Sequence, residues 1–109
     1  MKMKMNTMTY DPYVKFQILD YLILEYIRRN EECSIKEIKN YVDSICEITK
    51  QSFYAKINRL YKQKHYITQT YYTGFGENDE SVAKIYYVIT DMGKNFCRKT
   101  SRIIQKLTL

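Results

Sequence analysis

Between residues 49 and 65, TKQSFYAKINRLYKQKH, the polar side chains are of the kinds that read a surface by hydrogen bonding. Gln51 and Asn58 each offer an amide acceptor and two donors. Lys50, Lys62 and Arg59 add cations, and Ser52 and Tyr54 add hydroxyls. At the angular step of a helix, Gln51, Ala55, Asn58, Arg59 and Lys62 share one face, with Tyr54 on its shoulder. Phe53, Ile57, Leu60 and Tyr61 share the other. A polar face with a small residue at its centre can press against an anionic surface carrying hydrogen-bonding edges. Bond-breaking chemistry has no comparable signature: phosphate loops and nucleophile elbows are absent. Cys33, Cys46 and Cys97 match neither a CxxC motif nor a zinc spacing. The one histidine, His65, sits where a helix should end, which suits a structural or anion-contacting role better than catalysis. The residues therefore point away from an enzyme, and to no metal, cofactor or small-molecule ligand.

The elements that must position this face follow from caps and periodicity. Thr49 is an N-cap with Ser52 at N3, opening a helix expected over about 50–64. Before it, Ser34 and Glu37 form a capping box for a helix whose apolar stripe is Ile35, Ile38, Val42 and Ile45. Cys46-Glu47-Ile48 is a connection of the length found between the two helices of a helix-turn-helix. Further upstream, Asp11-Pro12 starts a first helix running to about Arg29, with Phe16, Leu19, Leu22, Ile23, Tyr26 and Ile27 as its stripe. A short extended piece is expected near residues 32–34. After the basic helix, Tyr66–Thr73 alternates and is rich in β-branched and aromatic residues. Residues 74–81 form a turn, and Val82–Thr90 returns with Ile85, Tyr87 and Ile89 toward the core. Thr90 or Asp91 caps a last helix over about 91–107, in which Met92, Phe96, Ile103 and Leu107 are apolar.

Charge is segregated along this order. Residues 10–48 carry a net −3, residues 49–65 a net +5 without one acid, residues 66–91 a net −3, and residues 92–109 a net +5. With Lys2 and Lys4 the total is +6. Positive charge gathered on two helices is an electrostatic footprint for a polyanion, although a solvated basic face would look the same. No apolar run approaches the ~18 residues of a membrane helix. The basic N-terminus lacks the apolar centre of a signal peptide. Reduced thiols in a cytoplasmic setting are the expectation for the cysteines. At 109 residues the chain should form one domain over residues 10–109 behind a basic arm at 1–9.

Two motifs carry a resemblance. Ser52-Phe53-Tyr54 followed by Ile57 and Leu60 is one; Tyr87-Val88-Ile89-Thr90-Asp91-Met92-Gly93 is the other. Over about residues 14–96 the chain resembles winged helix-turn-helix transcription regulators of the PadR and MarR type. In size and richness in Tyr, Ile and Lys it is also similar to small winged-helix proteins of archaeal viruses and plasmids. It departs from the pattern in two places. Lys64-His65 stands where a glycine ends the recognition helix, and the wing tip holds Glu77, Asp79 and Glu80 where basic residues are expected.

The resemblance implies an α+β fold, mostly helical, with a two- to three-stranded antiparallel wing and a C-terminal helix. It implies double-stranded DNA as partner, with the helix over residues 50–64 in the major groove. Gln51 and Asn58 are then placed to pair with adenine, and Arg59 with guanine or phosphate. Lys50, Ser52, Tyr54 and Lys62 hold phosphates or its flanks, Ala55 gives close approach, and Lys84 supplies a wing contact. Phe96, Ile103, Ile104 and Leu107 are expected to form a homodimer, with Tyr13, Tyr21 or Leu24 of the first helix contributing. The regulator so described would be a repressor, since a dimer alone can occlude a promoter. Two other readings remain open: a protein–protein assembly module with no DNA role, and a nonspecific DNA-coating protein.

Overall fold

The computed structural model describes residues 12–75 and 81–108. The arm at 1–9, the Asp11 cap and the wing-tip carboxylates Glu77, Asp79 and Glu80 lie outside those residues. So do the side chains of Tyr13 and Phe16.

Four α-helices and two strands follow in the order α1 (Pro12–Asn30), α2 (Ile35–Ile45), α3 (Lys50–Asn58), β1 (Ile67–Phe75), β2 (Ser81–Ile89) and α4 (Asp91–Thr108) among the described residues, with a π-helical turn, Arg59–Gln63, extending α3. The capping box of α2 is complete: Ser34 Oγ accepts from the Glu37 N–H, and the Glu37 carboxylate accepts from the Ser34 N–H. Thr49 Oγ1 accepts from the Ser52 N–H and opens α3. These caps satisfy donors that a helix start otherwise leaves without partners, and so fix where the turn between α2 and α3 begins and ends. α1 packs against α2, β2 and α4.

The strands form an antiparallel ribbon in a register running from Ile67 opposite Ile89 to Phe75 opposite Ser81. The extended piece expected near residues 32–34 is reduced to one bridge, in which Cys33 and Tyr87 exchange both backbone hydrogen bonds. This is the α+β winged-helix plan, with a two-stranded wing carrying a third strand's single rung.

The core is built by Leu19, Ile23, Leu24 and Ile27 of α1, Ile38 and Val42 of α2, and Phe53, Ile57 and Leu60. Ile67, the three cysteines and the inner half of α4 close it. Leu24 is wholly buried and belongs to this core, so it is removed from the dimer set. Ile85 has the parity of Tyr87 and Ile89 but stands exposed, because the space between it and α3 is open and not filled by side chains.

The helix expected over residues 50–64 is α-helical only to Asn58. Arg59–Gln63 widens into a π-helical turn, where the Lys64 N–H reaches back to the Arg59 carbonyl and the Tyr66 N–H to the Leu60 carbonyl. His65 then takes a φ of 57°. The left-handed residue that glycine normally supplies after a helix is here a histidine.

The second motif is a corner joining this helix end to the last helix. The Thr90 N–H donates to the Tyr66 carbonyl and the Thr90 hydroxyl to the His65 carbonyl, at 3.0 and 2.6 Å. The same hydroxyl accepts from the Gly93 N–H and caps α4. A Cβ on Gly93 would lie 2.2 Å from the Tyr66 oxygen and 2.7 Å from Ile89 Cγ1. Glycine is required here by close approach, a stronger reason than helix propensity alone suggests. One turn later Phe96 stacks on Tyr66, ring centroids 4.9 Å apart.

Candidate nucleic-acid interface

α3 is amphipathic, so one side enters the core and the other meets solvent. Phe53, Lys56, Ile57 and Leu60 are buried. Lys50, Gln51, Ser52, Tyr54, Ala55, Asn58 and Lys62 are exposed together. The Lys50 ammonium lies 6.0 Å from the centre of the Tyr54 ring, a distance at which a cation is attracted to the ring face. Residues 49–65 contain no carboxylate, so the exposed face of α3 offers amides, hydroxyls and cations only.

Arg59 is placed differently from the other seven. Its guanidinium turns back to Asp20 of α1 and bonds one carboxylate oxygen, while the Lys56 ammonium bonds the other at 2.7 Å. The Asp20 and Lys56 side chains are 4% and 1% exposed and that of Arg59 23%. Two cations from α3 and the turn that follows it thus converge on one carboxylate beneath the helix. Burial pulls the Lys56 ammonium below its ordinary value, and the bond from Asp20 opposes that pull. Removing the carboxylate would leave both cations in a low-dielectric site, which is far costlier than losing a surface pair.

This buried hub was not anticipated from the sequence, yet it left a signal. Asp20 sits in the middle of the α1 apolar stripe, between Leu19 and Ile23. Lys56 sits in the middle of the α3 stripe, between Phe53 and Ile57. Opposite charges at two core positions call for each other.

The ribbon presents two faces. Gln69 and Tyr71 of β1 share a side with Ile85 and Tyr87 of β2, and this side turns toward α3. Between them runs a trough of about 640 Å³, lined by Tyr54, Ala55, Asn58 and Lys62 on one bank and by Gln69, Ile85 and Tyr87 on the other. Lys84 stands opposite Tyr72 in the register, on the far side of the ribbon from this trough. There Tyr72 donates to the Glu32 carboxylate at 2.6 Å and meets Tyr86 edge-on. Hydrogen bonding to Glu32 raises the Tyr72 phenol.

The residues expected to pair two copies divide in two. Phe96 is turned inward on Tyr66, and its neighbour Cys97 is buried. Ile103 and Leu107 are 58% and 77% exposed, with Ile104 half-buried between them. The first half of α4 therefore belongs to its own domain, and the second half carries its apolar residues into solvent. Cys33, Cys46 and Cys97 are free and buried. Burial pushes the Cys33 thiol up to about 11 and the Cys97 thiol up to about 12. Thiols so held are poor nucleophiles. Among the described residues no cluster of His, Cys, Asp and Glu could hold a metal ion, and no helix is long and apolar enough to cross a membrane.

No family model matches the chain, and no curated protein does. Solved structures do. One is smu.1704 of Streptococcus mutans UA159, at 21% identity and a TM-score of 0.66, spanning 93% of this chain and 87% of that one. A second is a PadR family transcription regulator of Clostridium difficile R20291. Its identity is 26% and its TM-score 0.62, over 82% of this chain and 92% of that one. A third is TA0346 of Thermoplasma acidophilum, described as a candidate transcriptional regulator. It is 18% identical with a TM-score of 0.63, over 88% of both chains. These likenesses show a winged-helix fold like that of the PadR regulator.

Proposed function

We propose that the chain is a sequence-specific, double-stranded-DNA-binding transcription regulator that acts as a homodimeric repressor. The observation that carries this reading is the exposed face of α3, polar, basic and free of acid, on a fold shared with a PadR family regulator. A helix of that width and charge suits the major groove. Gln51 and Asn58 read base edges, and Lys50, Ser52, Tyr54 and Lys62 hold phosphates that set register. Ala55 lets the helix approach. Arg59 supports the helix through Asp20, and its contact with DNA is the indirect one of orientation. Lys84 reaches the duplex only from the outer side of the ribbon.

The exposed Ile103 and Leu107, with Ile104, support pairing of two copies through the ends of their α4 helices. Pairing would set two copies of α3 about 34 Å apart, one turn of duplex. The test is selection of bound duplexes from a random pool at near-physiological salt. An enriched inverted repeat is expected. Retention only at low salt without enrichment would make the chain a nonspecific coating protein. No retention at any salt would leave protein–protein assembly as its role.

A further inference from the structure

The trough between α3 and the ribbon has a polarity that the reading of α3 does not use. Tyr71 Oη donates to Gln69 Oε1, and Gln69 Nε2 donates to Tyr87 Oη at 3.1 Å. The three side chains form a chain of hydrogen bonds running in one direction along the inner side of the ribbon. At its end the Tyr87 oxygen is an acceptor, so the hydroxyl keeps its own proton to give away. Tyr87 lines the trough, as does Gln69. Its ring is held in place edge-on against Tyr61, centroids 6.1 Å apart, and its backbone by the bridge to Cys33. The proton donor is therefore fixed in position.

What the trough would take is narrowed by its lining. Ile35 and Ile57 make an apolar floor with Ile85 on the ribbon bank above it, Lys62 and Asn58 stand on the far bank, and no carboxylate is among the lining residues. A fixed neutral donor facing a cation across an apolar floor complements a charged acceptor attached to an apolar body. A deoxyribose–phosphate strand has that make-up: phosphate oxygens accept, and the sugar's carbon face packs against isoleucine and tyrosine. With α3 in the major groove, the strand that separates this groove from the neighbouring minor groove must pass between helix and wing.

Resting on the proposed DNA reading, we propose that this trough seats one phosphodiester strand, with Tyr87 Oη donating to a phosphate oxygen. Lys62 pairs with the same phosphate or its neighbour. Gln69 is a positioning residue that sets the direction of the Tyr87 proton and carries no base readout.

The test uses the full chain and a duplex from the selection, together with an unrelated duplex. Tyr87→Phe deletes one hydroxyl and keeps the ring. It should weaken binding roughly tenfold on both duplexes, because the contact is to backbone. The slope of affinity against salt should not change, since a neutral hydroxyl releases no counterion. Single methylphosphonate substitutions along the selected duplex should reveal one position where the Tyr87→Phe chain loses less affinity than the wild-type chain, the remainder being the Lys62 contact. Gln69→Glu, of nearly the same shape, should weaken binding on the order of a hundredfold at low salt by placing a charge beside the phosphate.

Wild-type affinity of both variants would overturn the inference, and so would losses that add at every phosphate. If Asn58→Ala still lost affinity in that case, the major-groove reading would stand without the trough. A wild-type chain that retained no duplex would remove the reading and the inference together.

Discussion

Residues 49–65 and 92–109 carry the same formal charge, +5, and neither contains an acid. Folding treats the two sets differently. In the first, Lys56 is buried and Arg59 is drawn to Asp20, leaving Lys50, Lys62 and Lys64 in solvent. In the second, Lys94, Arg98, Lys99, Arg102 and Lys106 are all exposed. Arg98 donates to Asn95 one turn earlier on the same helix. Basic charge on a helix is thus no measure of how much of it a partner can meet. α3 spends part of its charge on its own orientation, while α4 displays all of it and adds an exposed apolar end.

The sharpest way to break this comparison is at Asp20. Asp20→Ala leaves two cations beneath α3 with their shared carboxylate gone, and should cost about 3–5 kcal/mol in urea unfolding. Lys99→Ala on α4 removes an exposed charge and should stay within about 0.5 kcal/mol of wild type. Equal, small effects would mean that the hub contributes no more than a surface pair. Composition alone does not show that contrast: Asp20 and Lys56 are 36 residues apart, and their pairing is signalled only when the apolar stripes of both helices are set side by side.

Gly93→Ala is next in size. The added methyl would meet the Tyr66 carbonyl at 2.2 Å, so α4 must move away from the corner or the corner must open. A loss of about 1–3 kcal/mol is expected from overpacking, where an ordinary exposed helix position would gain from the same change. A gain would show that α4 is not pressed against the corner that follows α3. If the corner transmits position, the variant should also bind its duplex less tightly at a temperature where it is fully folded.

The two helices also differ in what their inner sides report. Cys97 lies on the buried side of α4, and its thiol is raised to about 12; Cys33, in the bridge to the ribbon, is raised to about 11. The unfolded thiols ionise near 9. For acids raised by folding, the unfolded chain loses its protons first. Their stabilising contribution is complete below pH 9 and is lost as pH climbs from 9 through 11 and 12. The urea midpoint should therefore fall over that range, and Cys97→Ser should flatten the fall. Alkylation of native protein at pH 8 should be slow at both thiols. Fast labelling of Cys97 alone would mean that α4 detaches from the body.

Much of the architecture was legible because it depends on neighbours in sequence. Ser34 with Glu37, and Thr49 with Ser52, announce their helix starts within four residues, and both caps form as expected. The alternation that marks the ribbon is equally local. What depended on distant partners was not legible. Phe96 has the spacing of an exposed stripe, yet Tyr66 covers it. Leu24 sits next to the α1 stripe, a place where exposure is expected, yet it is wholly buried in the core. The parity that turns Ile85 and Tyr87 inward already puts Lys84 on the other side of the ribbon, but that the inner side faces α3 across a trough depends on packing distant in sequence. Arg59 shares its helix angle with Asn58 and Lys62, and only the length of its side chain and the presence of Asp20 take it away from them.

The smallest expected effect concerns the end of the helical stretch that follows α3, which closes on a left-handed residue. His65 holds a φ of 57°, which a residue with a Cβ adopts at a cost of about 1 kcal/mol and glycine adopts freely. Its carbonyl is what Thr90 grips, and that bond involves backbone alone on the His65 side. His65→Gly should keep the corner and remove the strain. Against that, glycine frees the unfolded chain, so the net gain should be about 0.5 kcal/mol or less. A loss of stability would assign the imidazole a part in ending the helix. Unchanged stability with weaker DNA binding would make it instead a phosphate contact, and would extend the interface of α3 one turn past Lys62.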